Sequence, residues 1–424
     1  MISRFLLLLN LALTPTLFSQ QPQGATVPKS GEHWLARHGV VFSGCYIAEA
    51  LGNVHGGRRT GAVYDGLLTL CVDVELEKLS GWHGATMHAS LVNPHGSSLT
   101  NNYVGDRGVV SNIDAYDSLR LYEAWIEQAA FGGRVTLRAG FLAADAEFCV
   151  TDMAAPFING SFGAPTGLSG NFAYSNYPYS ALGLSLHIDL TPEWCVLLGA
   201  YDGNVAPGVF PDPTPGAALS NELNHYGTHF ALRHAEGAMF FAEVGWRHGD
   251  AGEIKVGGTF HTDAFADIGD VTLAANGSPL APAVARSNEG NYALYAIAEH
   301  DLWRAAGTGG AGLGAFIRGV FTPPDRNFFS HTAEAGLVYR GLLQSEARDK
   351  LGLGVIWLGI SPEVRNASRT ADVATPRDEV VLELTYQYAV TPCWSIQPDA
   401  QWIFNTGGTG ADALVIGLRS TLSF

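Results

Sequence analysis

The segment DALVIGLRSTLSF at residues 412–424 gives the clearest indication of the fold class. Its side chains separate into two sets at alternate positions. The first set is apolar except for Ser420 and comprises Leu414, Ile416, Leu418, Leu422 and Phe424. The second set is mostly polar or small and comprises Val415, Gly417, Arg419, Thr421 and Ser423. Because the side chains of a strand alternate between its two faces, this segment predicts a strand with one apolar and one polar face. Its length matches the roughly 9–11 residues with which a tilted strand crosses a bilayer.

The same alternation recurs along the chain, at residues 68–77, 182–190, 379–390 and 395–404. A strand of a soluble β-sandwich has the same pattern, but such strands usually run for only about five or six residues. Long period-two segments that recur this often favour membrane-spanning strands over helices and over short sandwich strands.

Bulk composition narrows the class of protein. The chain of 424 residues has 51 glycines, only 15% charged residues and a formal net charge of −16. No run of about 18 apolar residues occurs beyond the N-terminus, which excludes transmembrane helices. The acidic balance argues against nucleic acid as a partner.

The N-terminal sequence MISRFLLLLNLALTPTLFSQ has the layout of a secretory signal, with Arg4 before an apolar stretch that is too short to span a bilayer. We therefore assign residues 1–20 to a signal peptide, 21–39 to a short N-terminal periplasmic segment and 40–424 to a single β-domain. The five cysteines are scattered and contain no CxxC pair, so they give no support to a zinc or redox site. Their disulfide pairing stays open.

Strand counting requires one decision. Seventeen segments have strand character, whereas a bacterial barrel with both ends in the periplasm needs an even number. Because periplasmic turns are short and external loops are long, the connections alternate correctly if residues 226–234 belong to an external loop. The long connections then lie at about 51–66, 93–117, 143–180, 203–237, 263–290, 322–331, 361–377 and 405–411. The sequence thus predicts an all-β fold, a transmembrane antiparallel β-barrel of sixteen strands that is wide enough to hold water.

Charged residues recur on the predicted inward face of these strands. In a soluble barrel they would enter the core, where unpaired charges are prohibitive, whereas in a channel they can contact water. The predicted lumen set is Asp73, Glu75, Glu77, Arg134, Arg138, Glu243, Arg247, Glu299, Arg318, Glu334, Arg340, Glu383, Asp399 and Arg419.

Several motifs in a fixed order resemble the carbohydrate-selective porins of the OprB type. They are RLYEAWIEQ at 120–128, LRAGFLAADAEF at 137–148, FINGSFGAP at 157–165, GAYDGNVAPG at 199–208, FAEVGW at 241–246, GGTFHTDAFAD at 257–267, AGLGAFIRGVFTPPDRN at 311–327, WSIQPDAQWIFNTGG at 394–408 and DALVIGLR at 412–419. The resemblance implies a channel in the outer membrane of a Gram-negative-type envelope, with no catalytic centre and no cofactor. It also implies passive diffusion of small sugars such as glucose. Expected partners are small sugars and outer-membrane lipid, as a monomer or a trimer.

Other functions stay open at this point. They are an outer-membrane barrel with a hydrolase or adhesin role, a general or cation-preferring porin, and a soluble secreted β-protein.

A sugar-selective pore needs flat apolar faces and ionised side chains that bind hydroxyl groups. The segment 119–128 and its neighbours supply both types of residue. Because Glu123 and Glu127 cannot face hydrocarbon cheaply, the strand phase must slip near Tyr122, and a β-bulge would produce that slip. We predict a pore-lining, sugar-binding set of Arg120, Glu123, Trp125, Glu127, Arg134, Arg138, Asp145 and Glu147. The alternative is that these charges only pair with one another and stiffen the wall.

The connection at 143–180 is the third external loop. Third loops of general porins commonly fold into the barrel and narrow it, and Asp145, Glu147 and Asp152 would enter the lumen with this one. The alternative is a solvated surface loop.

Overall fold

The computed structural model describes residues 34–205, 224–228, 230, 232, 237–270, 272–273, 279–280, 286–305, 310–344 and 347–424. The predicted signal peptide at 1–20 and most of the predicted periplasmic segment lie outside the described residues. Among the described residues, no helix is both long enough and apolar enough to cross a membrane.

The described chain forms a closed antiparallel barrel of sixteen strands, as the sequence predicts. Each strand pairs with its sequence neighbours, and the last strand pairs with the first. The strands are β1 Val40–Gly56, β2 Gly61–Glu75, β3 Ala85–Gly96, β4 Arg120–Ala130, β5 Val135–Leu142, β6 Ala181–Asp189, β7 Trp194–Asp202, β8 Ala238–His248, β9 Gly252–Ala266, β10 Ser287–Arg304, β11 Gly312–Phe321, β12 Phe329–Arg340, β13 Lys350–Ile360, β14 Glu379–Thr391, β15 Trp394–Phe404 and β16 Ala413–Ser423.

Short helices and turns complete the described structure. The α-helices among the described residues are α1 Trp34–Arg37, α2 Leu76–Ser80, α3 Gly160–Gly163, α4 Thr166–Ser169 and α5 Pro362–Thr370. A small ladder outside the barrel pairs Thr272–Leu273 with Pro279–Leu280. Residues 224–228 form no strand, which agrees with the assignment of this region to an external loop. The first external loop is shorter than predicted, because β1 and β2 extend beyond the bilayer-length segment to Gly56 and Gly61.

The seam between β1 and β16 closes the barrel. The Gly44 amide donates to the Phe424 carbonyl at 2.8 Å, and the Phe424 amide donates back to the Gly44 carbonyl at 2.9 Å. Gly44 also leaves the space that the Phe424 ring occupies, since a Cβ atom at this position would overlap the ring. The seam is therefore held by both backbone pairing and side-chain fit.

The two faces of β16 have the environments that the alternation predicts. Ile416 and Leu418 are 49% and 48% exposed, whereas Val415, Arg419 and Thr421 are 0%, 7% and 5% exposed. The apolar set therefore lies on the outer wall, where lipid would cover it, and the polar set lies inside.

The third external loop folds into the barrel, with the predicted bounds of 143–180. Its aromatic residues are buried inside, with Phe157 at 1% and Phe162 at 2% exposure. The Glu383 carboxylate on β14 accepts the amides of Ile158 at 2.6 Å and Asn159 at 3.0 Å. The loop thus reaches the strands opposite its own, and the surface-loop alternative is excluded.

The second external loop, residues 97–119, also enters the barrel, which the sequence analysis did not predict. Glu379 at the start of β14 accepts the amides of Arg107 and Gly108, both at 2.9 Å. Gln401 donates to the Val110 carbonyl at 2.9 Å, and Arg419 donates to Asn112 at 2.6 Å. Alternation locates the inward face of a strand, but it carries no signal for which loop will cover that face.

Because these loops cover the wall, part of the predicted lumen set does not contact water. Glu243, Arg318, Glu334 and Glu383 are at most 2% exposed. The prediction of water contact is wrong for these residues, although their inward orientation is confirmed. Burial of charge is compensated here by pairing and by hydrogen bonds to loop backbone. Glu77 departs further, because it belongs to helix α2 in a turn and not to a strand.

Candidate functional site

The predicted site residues occupy three places. Strand β4 carries Arg120 at its external end and then Glu123, Trp125 and Glu127. Arg138 lies on the neighbouring strand β5, directly opposite Glu127 in the register. The third loop brings Asp145 and Glu147 back toward these two strands.

The predicted slip in β4 is present. Ser90 of β3 pairs with Glu123, and the next residue, Leu91, pairs with Leu121, so Tyr122 is the extra residue of a bulge. The bulge lets Arg120, Tyr122 and Glu123 all be buried on the inner side, at 1%, 3% and 2% exposure.

Trp125 stands between side chains from the two flanking strands. The guanidinium carbon of Arg138 lies 4.2 Å from the indole centroid. The His88 ring from β3 stacks on the indole at a centroid distance of 5.1 Å. Because β3 and β5 lie on opposite sides of β4, these contacts cover both indole faces and leave Trp125 only 6% exposed. The indole therefore supports Arg138 and His88 and does not present an open face to the lumen.

His88 was not among the predicted site residues. It lies on the inner face of β3, opposite Asp73 and Trp125, and its Nδ1 atom lies 2.7 Å from the Asp73 carboxylate. Alternation along β3 would have placed it in the lumen, but a single histidine gave no chemical signal.

Two carboxylates hold Arg138. Its Nη2 atom lies 2.6 Å from Glu127 Oε2, and its Nη1 atom pairs with Glu147 of the third loop. Ser185 of β6 donates to the other oxygen of Glu147. These contacts join β4, β5, β6 and the loop in one network, as expected if the charges stiffen the wall. The side chains of Arg138, Glu127 and Glu147 nevertheless stay 12%, 22% and 12% exposed.

Around this network lie buried polar atoms that have no hydrogen-bond partner in the described part of the chain. Tyr201 is an electrostatic neighbour of Arg138 and Glu147, and Glu123 is a neighbour of both His88 and Asp145. The unpaired atoms are His88 Nε2, Glu123 Oε2, Trp125 Nε1, Asp145 Oδ1 and Tyr201 Oη. Since buried polar atoms in proteins are nearly always paired, such a group indicates a place that water or a polar ligand completes.

Arg134 lies apart from this network. It precedes β5 in a turn and donates to the Leu190 carbonyl at 2.8 Å, where its side chain is exposed. The structure therefore brings Glu123, Trp125, Glu127, Arg138 and Glu147 together, places Asp145 beside them, and leaves Arg134 at the rim. Among the described residues, no group of three or more His, Cys, Asp or Glu side chains is arranged to hold a metal ion. All five cysteines are free thiols.

Asp145 makes the third loop sensitive to pH. Burial raises the pKa of its carboxyl to about 7, and nearby Glu123 acts in the same direction. The folded protein therefore holds this proton more tightly than the unfolded chain, in which an aspartate has a pKa of about 3.9. The contribution of Asp145 to stability is fully present below pH ~4 and falls as the pH rises toward 7.

We expect D145N to remove that dependence, because asparagine does not ionise. Unfolding midpoints in denaturant, measured from pH 4 to pH 8 in detergent, should show the wild-type midpoint decreasing more steeply than that of D145N. Parallel curves for the two proteins would contradict this assignment.

The comparisons with known proteins decide the family. Residues 59–424 match the carbohydrate-selective porin family, OprB family. The chain belongs to this family. It is accordingly an outer-membrane, carbohydrate-selective porin, and its family and fold are those of channels and not of enzymes.

Relatives and solved structures agree with this OprB-family assignment. Porin B of Pseudomonas aeruginosa is 24% identical over 416 residues, covering 91% of this chain and 87% of the relative. The putative porin QuiX of Acinetobacter baylyi is 24% identical over 448 residues, covering 98% and 96%. The high-pH structure of Pseudomonas putida OprB superposes with a TM-score of 0.80 at 24% identity, covering 92% of this chain and 95% of that chain. The structural likeness supports the barrel fold.

Proposed function

We propose that this OprB-family porin passes small neutral sugars such as glucose by passive diffusion. We further propose that Glu123, Glu127, Arg138 and Glu147, together with the Nε2 atom of His88 and the Nε1 atom of Trp125, form its sugar-contacting constriction. The observation that carries the proposal is the group of unpaired buried donors and acceptors around the Arg138 network. A hexose hydroxyl both donates and accepts, so a single sugar can complete donors such as Trp125 Nε1 and acceptors such as Glu123 Oε2.

The arrangement suits weak and repeated binding. Arg138 keeps its two carboxylate partners, so its donors are already largely satisfied before a sugar arrives. A sugar therefore exchanges one set of hydrogen bonds for another of similar strength. Binding that is favourable enough to admit a ligand and weak enough to release it is what conduction requires.

Charge-neutralising substitutions test the assignment. We expect R138Q and E123Q to change the rate at which glucose swells proteoliposomes, while the heat-modifiable folded band in gel electrophoresis persists. R369Q is a matched control, since Arg369 is an exposed residue of α5 whose guanidinium donates to the Asn366 side chain. Glucose swelling rates of R138Q and E123Q equal to those of R369Q and wild type would remove these residues from the site.

Acidic side chains in the periplasmic half of the lumen favour one competing function, that of a cation-preferring porin. The Asp73 and Glu75 side chains on β2 are 46% and 39% exposed, and ionised acids in a pore favour cations. A general, cation-preferring porin would show a strong cation reversal potential in a KCl gradient and no current reduction by glucose. A carbohydrate-selective pore shows current reduction by glucose at concentrations where succinate has no effect.

A further inference from the structure

Arg120 differs from three other arginines on the inner faces of the strands. Arg138, Arg318 and Arg419 each contact a carboxylate, from Glu127 and Glu147, from Glu334 and from Glu49 respectively. Arg120 is 1% exposed and has no carboxylate within ion-pair distance among the residues that the structure describes. An arginine stays charged at any physiological pH, so among the described residues this cation is buried without a counter-ion.

Aromatic side chains cover the planar faces of Arg120. Its guanidinium carbon lies 4.6 Å from the Tyr179 ring centroid and 5.6 Å from that of Tyr116. Its Nη1 atom donates to the Tyr116 hydroxyl. The Nε and Nη2 atoms, however, have no hydrogen-bond partner in the described chain. The cation is thus stabilised on its faces by the rings, while one edge with two parallel donors is left unpaired.

The geometry of that free edge is complementary to a carboxylate group. Nε and Nη2 point the same way, and two parallel N–H groups bind the two oxygens of one carboxylate side by side. One positive charge matches one negative charge, whereas a sugar hydroxyl would satisfy only one donor at a time. A local cation is also what an acidic chain of net charge −16 needs if it is to admit an anion.

The position of Arg120 places it before the Arg138 network on the route from outside. Arg120 opens β4 after an external loop, and Trp125 lies five residues further along, about 15 Å away at the rise of a strand. Tyr116 comes from the second loop and Tyr179 from the third, and both rings are half-buried. Because Arg120 itself is 1% exposed, a ligand would reach its free edge only after one of these rings moved aside.

We propose that Arg120, with Tyr116 and Tyr179, forms a second binding site in the external half of the pore for the carboxylate of hydroxylated monocarboxylates, such as aldonic and uronic acids. This inference rests on the proposed function, because it assigns an anionic class of sugar derivative to the same pore. Arg120 would bind the carboxylate first, and the polyol part would then meet the Arg138 network.

The test uses the whole protein in planar bilayers, with gluconate and its neutral analogue gluconamide as probes. We expect gluconate added on the external side to reduce the current at about tenfold lower concentration than gluconamide. R120Q should remove this difference. R120K, which keeps the charge and loses the paired donors, should recover only part of the difference. R59Q is the control, because Arg59 lies at the same mouth and contacts the Tyr103 ring and the Asn102 carbonyl.

Equal current reduction by gluconate and gluconamide in the wild type would overturn the proposal, and this arm needs no variant to fold. Full retention of the gluconate preference in R120Q would also overturn it. Glucose permeation by the wild type separates the two claims. If glucose permeates and the gluconate preference is absent, only the carboxylate site fails; if glucose does not permeate, the proposed function itself fails.

Discussion

Replacing Gly354 by valine should release the third loop from the barrel wall and raise the ion conductance of the pore. Gly354 on β13 forms part of the wall against which two aromatic rings of the loop pack. A Cβ atom at this position would lie 2.5 Å from Phe162 Cζ and 2.7 Å from Phe157 Cε1. Cβ atoms added at neighbouring Gly352 and Gly336 would lie 3.0 and 3.1 Å from the Phe157 ring. Since the rings rest on backbone and cannot move outward through a wall, added atoms must lift them into the lumen.

The expected cost of this overpacking is about 1–3 kcal/mol of loop docking. Single-channel recording should show a larger and noisier conductance for G354V, together with weaker current reduction by glucose. G319V is the matched control, because a Cβ atom at Gly319 of β11 meets only the Thr332 carbonyl oxygen, at 3.9 Å. Unchanged conductance in G354V would show that the loop does not limit the pore.

The second large effect is expected for Arg318. Its guanidinium pairs with Glu334 and donates to the carbonyls of Cys149 at 2.7 Å and of Ser161 and Phe162 at 2.8 Å. R318A would leave Glu334 charged and buried, and would remove three attachments of the loop. We expect a loss of about 3–5 kcal/mol in the free energy of unfolding, measured by denaturant titration in lipid vesicles.

Two comparisons make this prediction specific. The double variant R318A/E334A should be more stable than R318A, because no unpaired charge then remains. R304A should cost no more than about 1 kcal/mol, because Arg304 is 48% exposed and Asp301 keeps a second partner, Arg340. An R318A protein as stable as R304A would show that the buried pair contributes little.

Alternation in the sequence was sufficient to predict the barrel, because lipid outside and polar atoms inside impose a period of two on every spanning strand. The same physics predicted the bulge at Tyr122, since two glutamates could not lie on the lipid side. The inward orientation of Glu123, Trp125 and Arg138 follows from the same rule.

The loops that cover the inner face of the barrel leave no periodic pattern in the sequence. For this reason the entry of the second loop and the burial of Arg318 and Glu383 were not predicted. Their partners are backbone groups of loops that are far away in sequence, such as the amides of Ile158 and Asn159. Trp125 shows the same limit. Its position in the strand predicted that the indole points inward. That its two faces are covered depends on His88 and Arg138 of the neighbouring strands.

The anchors of the third loop also determine the order in which the molecule can assemble. Asn159 donates to Gln401, which lies 242 residues later in the chain, and Gln397 donates to Pro156 across 241 residues. The loop cannot dock until the final hairpin is in place, and contacts of such high contact order form slowly. Until its last strands pair, a barrel in assembly therefore has an interior without the docked third loop and is more permeable. Docking of the third loop thus indicates that the barrel has closed.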